Sequence, residues 1–110
     1  FPHRSFLCAD VTKKLPFEDF QYGVVILADV LEHIEWNKVS DVLAEALRIA
    51  RKKLLVTLPW LRTEDCACCF KHKWIPNKSR IGEIVVWLAQ HSRKVSLEYD
   101  THFVYIEVLK

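Results

Sequence analysis

Methionine is absent from this chain, and glycine occurs only twice in 110 residues, as Gly23 and Gly82. Together with only four prolines, that scarcity argues against disorder and against fibrous repeats. No apolar run approaches the roughly 20 residues a membrane-crossing helix needs. The opening FPHRSF carries no secretion-signal pattern. Charge is nearly balanced at a net +2, which neither invites nor excludes nucleic acid. The missing initiator Met suggests a piece of a longer chain or a processed one. Of four cysteines, Cys8 stands alone, while Cys66, Cys68 and Cys69 are bunched too tightly for a secreted disulfide framework. With no targeting segment, a cytoplasmic setting is expected.

About half of the chain is hydrophobic, enough to bury a real core in one small domain spanning residues 1–110. SFLCAD (Ser5 to Asp10) reads as a short buried strand. VTKKLPFEDFQYG reads as a loop, broken by Pro16 and punctuated by Gly23. VVILAD (Val24 to Asp29) is a continuous, β-branched apolar run, which suits a strand covered on both faces. A helix follows, with Val39, Val42, Leu43, Ala46, Leu47 and Ile49 near helical spacing. Asn37 is its expected N-cap, and Arg51, Lys52 and Lys53 suit its C-terminal end. KLLVTLP (Lys53 to Pro59) reads as a third buried strand. After an irregular stretch, Asn77 or Ser79 caps a second helix with Ile81, Ile84, Val85 and Leu88 as its apolar face. KVSLEYD and HFVYIEVLK, joined by a short link, form an antiparallel hairpin. Strands alternating with helices imply an α/β fold with a mostly parallel sheet, and the hairpin adds an antiparallel edge strand.

The segment VVILADVLEHIEW raises a functional question: why does a buried strand end in Asp29, Glu32, His33 and Glu35? One reading is a core strand followed by a solvated helix start. The other is a strand delivering polar groups to the cleft at the carboxyl edge of a sheet, where open α/β folds bind ligands.

The stretch from CADVTKKLPFEDF through GVVILADVLEHIEW to EALRIARKKLLVTLP resembles the middle of a class I S-adenosylmethionine-dependent methyltransferase. The motifs that carry the resemblance are an acid after a strand, an LPFED loop, a strand running into VLEH, a helix containing EALR, and a strand ending in Pro59. The resemblance implies a Rossmann-like three-layer sandwich, with a mostly parallel sheet and a C-terminal antiparallel hairpin. It implies S-adenosylmethionine as cofactor and methyl transfer to an unidentified small-molecule or macromolecular acceptor. By position, Asp10 matches the acid that accepts from the adenine amino group, and Val11 the neighbour whose amide meets the ring. Ala28 and Asp29 match the strand end beside the methionine part of the cofactor, and His33 matches the family histidine. His72 and Trp74 are the candidates for lining the acceptor side. No residue is assigned as catalytic.

The chain departs from the family in one large respect. The family's glycine-rich first motif, which lets backbone approach the cofactor at a helix N-terminus, is absent, as is the acid after the second strand. The expected domain is therefore partial, lacking the N-terminal cofactor-binding strands. Such a truncated sheet exposes a strand edge. A rival reading follows: a non-catalytic methyltransferase-like module pairing through that edge, with a second copy or with a missing N-terminal segment. Each singled-out residue also has a plainer reading. Asp10 and Asp29 can cap turns, His33 can be a packed structural histidine, and Trp74 can simply cover the sheet. Cys66, Cys68, Cys69 and His72 are soft metal ligands, but their spacing suits one tetrahedral site poorly, and no metal is expected. The basic residues near Lys73, Lys78 and Arg80 form a modest local patch of the kind usually found on a solvated face.

Overall fold

The computed structural model describes residues 7–60, 73–74 and 76–110. In chain order these form β1 (Tyr22–Ala28), a 3-10 turn (Leu31–His33), α1 (Trp36–Ile49), β2 (Ala50–Pro59), α2 (Lys78–Gln90), β3 (Lys94–Tyr99) and β4 (Phe103–Leu109). The strands build one sheet in the order β1-β2-β4-β3. β1 and β2 are parallel, and β4 is antiparallel to both of its neighbours. β1, β2 and β3 therefore run one way, and β4 alone is reversed.

Alternation assigns each strand residue to a face. Cross-strand partners form the rows Val25–Leu54–Val108–Val95 and Leu27–Val56–Ile106–Leu97 on the covered face. Leu54, Val56, Leu58 and Val108 are fully buried there. Helix α1 adds Val39, Val42, Leu43, Ala46 and Leu47 to the same cluster, and α2 adds Ile81, Ile84 and Leu88. Burying each such side chain is worth roughly 1.5–3 kcal/mol, so this one cluster holds the fold. The opposite face carries the row Ile26–Leu55–Glu107–Ser96, and Ile26 is 61% exposed. Of the three layers expected, the described residues build two: the sheet and the layer of α1 and α2.

Several expectations are corrected. Residues 7–10 of the first expected strand are not extended into any ladder. No described strand lies beyond β1 to pair with them, and a strand without a partner leaves its backbone groups to water. Among the described residues the exposed edge on this side of the sheet is β1, and β3 forms the other edge. The reversed hairpin strand is not at the edge either, because β4 sits between β2 and β3. Burial explains the order: Val104, Ile106 and Val108 of β4 are buried, whereas Leu97 and Tyr99 of β3 are exposed.

Helix boundaries differ from expectation as well. Glu35 is the N-cap residue of α1, with no side-chain cap, so Asn37 lies within the first turn. Arg51, Lys52 and Lys53 belong to β2, because the chain passes from Ile49 directly into the strand at Ala50. The cation at the helix end is supplied instead by Lys110, whose Nζ donates to the carbonyls of Leu47 and Ala50. Helix α2 follows expectation, since the Asn77 side chain accepts from the Arg80 amide at 2.9 Å.

Candidate functional site

The carboxyl ends of β1, β2 and β3 meet the start of β4 along one edge of the sheet. Asp29 stands there with φ 54°, the left-handed region that Asp tolerates better than most residues. Thr57, on the neighbouring strand, holds it in that conformation. The Asp29 amide donates to the Thr57 carbonyl at 3.1 Å and approaches its Oγ1 at 3.2 Å. The Thr57 hydroxyl in turn donates to Asp29 Oδ1 at 3.2 Å. The strand end is therefore a fixed bend that leaves Ala28 and the Asp29 carboxylate exposed.

A second acid lies on the same edge. Asp100 accepts from the amides of His102 and Phe103, both at 2.8 Å, and from the Tyr105 hydroxyl at 3.0 Å. Those amide donors hold its carboxyl below the usual carboxylate range. Tyr105 is raised, first by its bond to Asp100, with Asp29 adding a smaller push. Trp60 stacks on Tyr99 at 5.9 Å, and its amide donates to the His102 carbonyl. Thr57, Tyr105 and Asp100 were not among the sequence-derived candidates. The available signals were Thr57 as the lone polar residue of LLVTLP and the alternation in HFVYIEV, which puts Tyr105 on the face opposite the core.

Asp10 sits in a turn before β1. Its Oδ1 accepts from the Thr12 amide at 2.9 Å and the Thr12 hydroxyl at 2.6 Å, and these bonds lower its carboxyl below the ordinary value. Lys38, in the first turn of α1, adds a small attraction of the same sign. Val11 packs against the core cluster. Arg48 docks the rest of this loop by donating to the carbonyls of Phe17 and Leu15 and to Asp19.

The turn after Asp29 carries the remaining candidates. His33 is half-exposed, and its Nε2 lies 3.5 Å from Glu32 Oε1. Glu32 is wholly buried, and neither of its carboxylate oxygens has a hydrogen-bond partner among the described residues. Burial pushes its carboxyl up, opposed by its own amide and by His33, while Asp29 adds to the rise. Trp74 is only 7% exposed. Its indole donates to the Leu31 carbonyl at 2.8 Å, and it meets Trp36 edge-on at 4.8 Å. Trp74 therefore braces the turn from within the core and presents almost no surface to a substrate. His72, Cys66, Cys68 and Cys69 lie outside the described residues. Among the described residues no cluster of His, Cys, Asp and Glu has the arrangement of a metal site, and no helix is long and apolar enough to cross a membrane.

A family profile described as a methyltransferase domain matches residues 2–56, half of the chain. No curated protein matches. Among solved structures, the chain superposes on magnesium protoporphyrin IX methyltransferase from Synechocystis PCC 6803 with bound SAH, at TM-score 0.65 and 15% identity, covering 96% of this chain and 51% of that one. An O-methyltransferase family protein from Burkholderia thailandensis gives TM-score 0.77 at 14% identity, over 96% of this chain and 35% of that one. A SAM-dependent methyltransferase from Aquifex aeolicus gives TM-score 0.66 at 14% identity, over 96% and 54%. The chain spans about half the length of these structures or less. Such low identities establish the shared Rossmann-like α/β fold, and the profile match establishes kinship: the chain belongs to the methyltransferase domain family.

Proposed function

We propose that this chain contributes part of the site of an S-adenosylmethionine-dependent methyltransferase, acting on an oxygen, nitrogen or carbon of an unidentified acceptor. The observation that carries the reading is the profile match over residues 2–56, which contains Asp10, Val11, Ala28 and Asp29. The residues fit the cofactor in their chemistry. Asp10 is an exposed carboxylate held ionised by Thr12, an acceptor-only group suited to an amino donor. Asp29 is a second exposed carboxylate, fixed at the strand end by Thr57. When bound, S-adenosylmethionine supplies a methyl group on an electrophilic sulfonium. The chain's own part is alignment. The Thr57-braced bend fixes the edge at which the acceptor would stand, and the buried Leu31 and Trp74 keep water from beneath it. Alignment of this kind accounts for a large share of a displacement barrier.

The test is calorimetric titration of S-adenosylmethionine and S-adenosylhomocysteine into the chain. Micromolar binding that weakens at least tenfold in Asp10→Ala is the expected outcome. Absence of binding to the folded chain would remove the claim that these residues hold the cofactor.

A second reading rests on the edge of β1, unpaired among the described residues, where Val24 is 46% and Ile26 61% exposed. An open edge beside an apolar face is a ready pairing surface, and a non-catalytic module pairing through it would bury both. Light-scattering mass distinguishes this reading. A concentration-dependent dimer abolished by Ile26→Lys supports pairing, and a monomer at all concentrations counts against self-pairing.

A further inference from the structure

Glu32 is the feature that the cofactor reading leaves unused. A carboxyl with no exposure and, among the described residues, no hydrogen-bond partner on either oxygen is costly, because burial of an unpaired charge is opposed by desolvation. It is also well anchored. The Glu32 carbonyl accepts from the Lys73 amide at 2.8 Å, and the preceding Leu31 carbonyl accepts from Trp74. Among the described residues, the His33 imidazole lies 3.5 Å from its carboxyl, and that ring is half-exposed. Asp29 at the end of β1 also acts on it, and Lys73 and Glu35 of the same region face each other at 3.7 Å.

We propose that Glu32 is a positioning residue for His33, and that the two form a proton-accepting pair serving the methyl acceptor. The proposal rests on the methyl-transfer reading above. An acceptor X–H must lose its proton when X gains a methyl group. The X–H electron pair stays on X and balances the new bond, and the carbon–sulfur pair stays on sulfur. The released proton passes to the His33 ring, where the new positive charge faces the Glu32 carboxylate. A buried carboxylate disfavours charge on its own and favours it beside an imidazolium.

Titration followed by carboxyl carbon-13 NMR on the whole chain tests the pair without an acceptor. The expected result is a Glu32 carboxyl that titrates above the ordinary 4.5, moves further up in His33→Gln and moves down in Asp29→Asn. The His33 ring carbons should show an inflection at the Glu32 midpoint that Glu32→Gln removes. A Glu32 midpoint at or below 4.5, or one unmoved by His33→Gln, would overturn the proposal. If His33→Gln unfolds the chain, the His33 inflection in the parent protein and in the isosteric Glu32→Gln decides alone. S-adenosylhomocysteine binding, measured separately, reports on the cofactor reading. A coupled pair without binding would sink that reading, and binding without coupling would sink this one.

Discussion

Arg48 donates to the carbonyls of Leu15 and Phe17 and to the carboxylates of Asp19 and Glu45, and its own carbonyl accepts from the Phe20 amide at 2.8 Å. Glu45 also accepts from the Leu15 amide. One helical residue pair therefore fastens the loop that carries Asp10 and Val11. Arg48→Ala should loosen that loop while leaving α1 intact, seen as several-fold faster hydrogen exchange at Leu15 and Phe20 with little change in the β2 amides. Glu32 presents the opposite electrostatic situation, and its sign can be worked out. Its folded pKa is raised, so its contribution to stability is present in full below the unfolded value and is lost as pH rises through the folded value. Glu32→Gln should match the parent chain in urea unfolding below about pH 4.5 and exceed it increasingly above. In the sequence, the acids around His33 were conspicuous, but Glu32 read as a solvated helix-start residue. The backbone of its turn is met by Trp74 and Lys73, some forty positions away, and local pattern carries no trace of that docking.

Capping shows where local chemistry suffices and where it does not. Asn77 was legible as a cap because its oxygen needs only the amide three residues on. Asn77→Ala should cost about 1 kcal/mol, measured by chemical denaturation. The C-terminal end of α1 was misread because its cation, Lys110, arrives from 60 positions away. Basic residues directly after the helix looked sufficient, yet they belong to β2. Lys110 packs over the Phe20 ring at 4.2 Å, and burial lowers its pKa. Its replacement by Ala should fray the last turn of α1, seen as lost protection at the amides near Ile49.

The order of strands and helices from Val24 onward was readable in the alternation of apolar runs, and so was the reversed final strand. The interior position of β4 was not, because a hairpin can dock by either strand. Only the comparison of Val104, Ile106 and Val108 with Val95, Leu97 and Tyr99 favours one of them. The single cluster beneath α1 and α2 makes the whole chain depend on a few β2 residues. Leu54→Ala should cost about 2–5 kcal/mol in urea unfolding, a large fraction of the stability of a domain this size. The uncovered face has its own signature: Ile26→Lys should reduce binding of a hydrophobic dye such as ANS without lowering the unfolding midpoint by much.

The junction at Ile49 and Ala50, where α1 becomes β2 with no intervening loop, works like a keyed shaft. One inserted residue would turn the helix by about 100° and would also invert every side chain of the strand. Thr57 would then leave Asp29, and Leu54 and Val56 would face water. The spacing between the helix and the edge that holds Asp29 is therefore a gauge with no slack, and drift in chain length must be absorbed elsewhere if this edge is to keep its shape.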